Sequence, residues 1–236
     1  MMNRLMIAAV LGFVMTLATN IGSAEQAKPQ GREPRFDELV RADFFTGVAG
    51  DAAAMDRAMR LIEETLAKNP RHPEALVWRG SGLVGRAQQS FQSADVATGN
   101  DLFQRGLRDM NDAVVLAPEN VGVLIPRGAT LLEMSRSVTD PERAKELLST
   151  AVADYEKVLM LQAPYFNYLS EHARGELLFG LAEGLHRLGE RDRARKYFDR
   201  LLAEAPSSKY GTMADAWLKN PAGTSSKQRG CVGCHK

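Results

Sequence analysis

The chain has 236 residues, of which 44% are hydrophobic and 25% charged; this is the composition of a globular protein, with room for one domain of ordinary size or two small ones. Thirty basic residues face 29 acidic ones, a formal net charge of +1, so no overall field points to nucleic acid or to an acidic surface. Two cysteines are too few for a disulfide framework.

Residues 1–24 have the pattern of a secretory signal peptide. Arg4 and the amino terminus supply a positive n-region, Leu5 to Ala18 an apolar h-region, and Gly22, Ser23 and Ala24 the small residues before a cleavage site between Ala24 and Glu25. The alternative is an uncleaved anchor, but an apolar run of about 14 residues falls short of the ~20 needed to span a bilayer. No cysteine lies near the cut and no twin arginine precedes it, which speaks against a lipoprotein or twin-arginine export. The expected product is periplasmic or otherwise exported, with no stable membrane anchor. Residues 25–35, with Pro29, Gly31 and Pro34, are expected to form a disordered arm.

From Phe36 to Lys219 the apolar residues recur with helical period and no alternating strand pattern stands out. Four prolines mark a repeat. Pro70, Pro118, Pro164 and Pro206 follow LIEETLAKN, MNDAVVLA, YEKVLMLQA and FDRLLAEA, at spacings of 48, 46 and 42 residues. The last unit, Gly175 to Pro206, places Leu178, Leu181, Ala182, Leu185, Gly189, Ala194, Phe198 and Leu202 at intervals that suit two packed helices. Small Ala182 and Ala194 would sit where the helices cross, Gly189 at the turn, and Phe198 and Leu202 between the helices. On these residues the unit resembles a tetratricopeptide repeat, whose period is about 34 residues. The second and third units share it through Leu76, Arg79, Gly80 and Leu83 and through Leu124, Arg127, Gly128 and Leu131. The first unit, Leu39 to Pro70, keeps Ala58, Ile62 and Leu66 but departs from the pattern in its first helix, as edge repeats often do.

The resemblance implies an all-α, right-handed solenoid of helical hairpins over residues 36–219. The surplus length is expected in longer helices and in loops between them. VATGND at 96–101 is expected to be one such loop, with Asp101 as a possible N-cap. Asp140 and Pro141 suit the start of a helix, and Ser207 or Ser208 suits the cap of a final one. That last helix, with Tyr210, Met213, Ala214, Trp217 and Leu218 on its apolar side, would cover the end of the array. The resemblance also implies a concave groove lined by first helices, at Val77, Trp78, Ile125, Pro126, Leu132, Phe179, Glu183, His186 and Arg187. It would take protein partners, including redox proteins; alternatively these are ordinary core residues.

Residues 220–236 are expected to be a flexible tail. It carries both cysteines of the chain, in Cys231-Val232-Gly233-Cys234-His235. Two thiols at this spacing can each form a thioether to one haem, and the adjacent imidazole can reach the iron. The motif looks like the attachment site of c-type cytochromes. That resemblance implies covalent haem c on Cys231 and Cys234, with His235 as proximal iron ligand. The pattern also suits a thiol pair, a disulfide or part of a zinc site. No His or Met follows the motif in this sequence, so a haem pocket would come from the solenoid, a second copy or a partner, unless the chain is a truncated fusion. His172, His186 and Met213 are candidate sixth ligands, with packing or solvation as the plainer role; His72 suits a surface turn. No G-x-S-x-G, H-E-x-x-H, Walker or Rossmann pattern occurs. The expectation is therefore a non-enzymatic, haem-bearing scaffold for docking and electron transfer, with a haem-free adaptor as the alternative.

Overall fold

The computed structural model describes residues 34–220. Among these the chain forms nine α-helices, one 3-10 helix and no strand. The helices are α1 (Phe36–Val48), α2 (Ala52–Lys68), α3 (Pro73–Gln92), α4 (Val96–Leu116), α5 (Val121–Met134), α6 (Pro141–Gln162), α7 (Glu171–Arg187), α8 (Arg191–Glu204) and α9 (Lys209–Lys219), with the 3-10 helix Ala163–Tyr168 after α6. The signal peptide, the arm up to residue 33, and the tail from 221 with its cysteine motif lie outside the described residues.

Local chemistry starts most of these helices. Asp51, His72, Asp95, Asn120, Asp140, Ser170 and Ser208 each accept a backbone N–H of the first turn, which satisfies a donor the helix cannot. His72 does this with Nδ1, 3.1 Å from the Ala75 nitrogen, so it is a cap and more than a turn residue. Pro73 and Pro141 take first positions, where a missing N–H costs nothing. Gly189 makes the α7–α8 turn at φ +86°, a conformation open to glycine.

The segment 96–101 is helix, not loop. Asp95 caps α4 by accepting from the Thr98 N–H at 3.1 Å, and the tight α3–α4 turn falls one residue earlier, at Ala94 with φ +62°. Gly99 has a packing reason instead: a Cβ there would run into the Phe91 ring. The surplus of this unit goes into helix length, with 20 residues in α3 and 21 in α4 against 14 in α8.

The α3–α4 and α5–α6 hairpins close on seams of small residues. A Cβ on Gly80 would meet the Gly106 carbonyl oxygen at 2.6 Å, and one on Gly106 would meet the Gly80 oxygen at 2.7 Å. In the next hairpin Gly128 faces the Ala151 carbonyl. The arginines before Gly80 and Gly128 cross the same seams. Arg79 donates to both carboxylate oxygens of Asp109 at 2.7 and 3.0 Å, and Arg127 to both of Asp154 at 2.7 and 2.6 Å. Such bidentate geometry fixes register as well as adding energy. In the α7–α8 hairpin Ala182, Ala194, Phe198 and Leu201 are fully buried. Helix α9 closes the end: Trp217 stacks on Phe198 with ring centroids 4.1 Å apart, and Tyr210 and Ala214 are buried beneath it. The architecture is an all-α, tetratricopeptide-like solenoid of four hairpins (α1–α2, α3–α4, α5–α6, α7–α8) and a capping helix.

Candidate functional site

Most of the groove positions expected on the first helices are closed off. Val77 is 0% accessible, Trp78 4%, Leu132 5% and Phe179 2%; these are core positions, and Ile125 is half-buried against them. Helix α1 supplies the reason. It lays Phe44 and Phe45 over the Trp78 ring, with centroids 4.9 and 6.0 Å away at steep angles, a favourable edge-on contact. Phe179 is held edge-on by Phe198 and at a shallower tilt by Tyr210, both 5.9 Å away. Arg187 is committed to its own fold, donating to the Leu132 carbonyl at 3.0 Å and to Ser135 Oγ at 2.7 Å. His186 packs edge-on against Trp217 at 4.3 Å.

What this face holds is a half-open cavity of about 140 Å³. All four first helices line it: α1 gives Phe44, Phe45 and Val48, α3 gives Ser81, Val84, Gly85 and Gln88, α5 gives Ala129, Thr130, Leu132, Glu133 and Met134, and α7 gives Glu176, Phe179, Gly180 and Glu183. Arg136 just beyond α5, Tyr155 of α6 and Tyr210 of α9 complete it. Of the groove residues expected from sequence, Leu132, Phe179 and Glu183 line the cavity, whereas Val77, Trp78, Ile125, Pro126, His186 and Arg187 do not. Phe44, Phe45, Glu133, Arg136 and Glu176 were not expected here. One signal for the acids is visible in sequence: Glu176 and Glu183 are seven residues apart, so they share a face of a helix whose neighbouring positions are leucine, phenylalanine and glycine.

The cavity wall is partly satisfied. Ser81 Oγ donates to the Val77 carbonyl and accepts from Thr130 Oγ1 at 2.8 Å. Arg136 donates to Glu133 at 3.1 Å and, through Nη2, to Glu183 Oε1. Arg187 Nη1 lies 3.9 Å from that same Oε1. Glu183 Oε2 is buried with no hydrogen-bond partner, in a residue only 6% accessible. Burial pushes the Glu183 carboxyl above the usual range, against the pull of Arg136 and Arg187. Burial does the same to Glu176, opposed by Lys209 and Arg41; the 21% of that side chain which remains accessible is consistent with its place on the cavity wall. An unpaired acceptor in such a site costs the fold and favours a ligand that donates.

Cys231, Cys234 and His235 lie outside the described residues. Among the described residues, no group of three or more His, Cys, Asp or Glu side chains could hold a metal ion. Burial and nearby positive charge hold His172 and His186 below the ordinary imidazole value, so both are neutral at pH 7, the form in which imidazole binds a metal. Met213 packs partly buried against the core.

No family model matches the chain, and no curated protein matches it. Among solved structures it is similar to TTC0263, a thermophilic TPR protein of Thermus thermophilus, at 19% identity over 78% of this chain and 100% of that one, with a TM-score of 0.38. That likeness adds nothing to the packing described above.

Proposed function

We propose that this chain is an exported helical-hairpin scaffold that carries one covalent haem c on its C-terminal tail and acts in electron transfer and partner docking. The observation that carries this is the motif Cys231-Val232-Gly233-Cys234-His235 in a chain with no other cysteine. Its donor set fits the group: Cys231 and Cys234 would hold the porphyrin through two thioethers, and His235 would take the proximal position. The signal pattern at residues 1–24 supports the same reading, since it sends the thiols to the compartment where such a motif is used.

A bound haem would supply one-electron chemistry. The part of this chain would be to hold and present it. The interior cavity, at about 140 Å³, is well below the roughly 300–1,000 Å³ of pockets that enclose drug-sized ligands. A tail haem would therefore lie outside the helical core, where a partner can approach it. The inward-facing Trp78 and Phe179 are not available for docking, so contacts fall to outward side chains. Met160, Tyr165 and Tyr168, around the end of α6, are 65%, 44% and 89% accessible.

The test is the mass of the mature chain from a host competent in cytochrome c maturation. The expected product begins at Glu25 and is heavier than its polypeptide by about one haem, roughly 616 Da. The pair Cys231→Ala and Cys234→Ala should abolish that increment and leave helical content unchanged. A wild-type chain without the increment would overturn electron transfer and leave a haem-free adaptor or a thiol site.

A further inference from the structure

The cavity on the first-helix face has a wall that the tail motif does not explain. Its wall combines three features. The first is an aromatic and aliphatic lining, with Phe44 and Phe45 on one side and Phe179 on the other. The second is charge: the lining residues include three carboxylates, Glu133, Glu176 and Glu183, and one guanidinium, Arg136. The third is an unmet acceptor, Glu183 Oε2, buried without a partner while Arg136 and Arg187 both address the other oxygen.

We propose that the cavity binds a small organic ammonium with an apolar body, an aryl-alkyl or branched alkyl amine, whose N–H donates to Glu183 Oε2 and whose hydrocarbon part packs among Phe44, Phe45 and Phe179. Size agrees: a cavity of about 140 Å³ is close to the ~150 Å³ apolar cavities that accept benzene. The aromatic faces add attraction for a cation. A ligand donor removes the cost of leaving Oε2 bare. Access is at the rim, where Val48 is 43% accessible. The neighbouring cations are already occupied in part: Arg136 by Glu133 and Glu183, and Arg187 by the Leu132 carbonyl and Ser135. Lys209 and Arg41 act on Glu176 from α9 and α1, and His172 Nε2 lies 4.0 Å from it; the bare Oε2 makes Glu183 the anchor and Glu176 the lesser contributor.

The experiment is calorimetric titration of the full-length mature chain with benzylamine and, separately, with benzyl alcohol, a neutral molecule of nearly the same shape. Benzylamine should bind at one site and at least tenfold more tightly than the alcohol. Glu183→Gln, which presents an amide in place of the free carboxylate oxygen, should bring benzylamine down to the level of the alcohol. Glu176→Gln should weaken it by a smaller factor. Equal affinity for the two compounds would show a merely apolar hole and overturn the proposal, as would no saturable binding of the amine. Unchanged benzylamine affinity in a folded Glu183→Gln protein would do the same. If that variant does not fold, the comparison of amine with alcohol on the wild-type chain decides the matter alone. None of these outcomes depends on haem.

Discussion

The hairpin seams and the interior cavity both bury carboxylates beside arginines, and they differ in what is left over. At the seam of α5 and α6, Arg127 occupies both oxygens of Asp154, and the Asp154 side chain is 4% accessible. In the cavity, Arg136 and Arg187 address one oxygen of Glu183 and leave the other bare. Burial pushes both acids up, so desolvation alone does not tell them apart. The count of satisfied lone pairs does. A closed pair holds two helices in register; a half-closed pair keeps an acceptor for something else.

Four changes would break or sharpen this contrast. The largest effect is expected from Asp154→Ala, which strands Arg127, only 12% accessible, without its carboxylate. Stability should fall by about 3–5 kcal/mol, the usual cost of removing one partner of a buried pair, as read by urea denaturation. Trp217→Ala belongs in a similar range, about 3–5 kcal/mol for a large aromatic lost from a core. It would uncover Phe198 at the last seam and leave the cavity lining untouched.

Gly80→Ala comes next. Intrinsic helix preference favours alanine by about 1 kcal/mol, but the new methyl would sit 2.6 Å from the Gly106 carbonyl. The clash should win, for a net loss of about 1–3 kcal/mol; a gain would mean the seam is looser than its geometry shows. The smallest effect is expected from Glu183→Gln, and its sign is opposite. The folded-state pKa of Glu183 lies above the ordinary glutamate value of 4.5, so the folded protein holds the proton more tightly. The favourable contribution is complete below 4.5 and is lost as pH rises through the folded value. At pH 8 the variant should therefore match or exceed the wild type, by on the order of 1 kcal/mol or less. The difference should shrink as pH falls toward 4.5. A loss comparable to that of Asp154→Ala would show that Glu183 serves the fold as Asp154 does.

The seams were half legible in the sequence. The repeated pairs Arg79–Gly80 and Arg127–Gly128 stand out because they recur at one place in two units, and glycine at a helix crossing has a direct steric meaning. Their acceptors do not stand out: Asp109 and Asp154 lie 30 and 27 residues on, and nothing local marks them among other surface acids. Gly99 misled, since a glycine beside an asparagine suits a turn, whereas the Phe91 ring that requires it lies across a hairpin. The cavity was the least legible. Phe179 lines it and Trp78 does not; both are buried, Trp78 under α1, the helix that fits the repeat pattern least, and Phe179 against Phe198 and Tyr210. A sequence gives the face of a helix by its period; what comes to cover that face is a matter of long-range closure. The cysteine motif is the reverse case, plain in sequence and outside the described residues.

The cavity wall draws on α1 at one end of the array and on α7 and α9 at the other. In a linear repeat protein each unit answers only to its neighbours, so stability adds up unit by unit and the ends unravel independently. A compartment that exists only when first and last units are both in place introduces a term that no adjacent pair contains. An occupant of that compartment would stabilise the complete array and no shorter piece of it. Fraying at either terminus and release of the occupant would then be one event, and the array would melt as a unit.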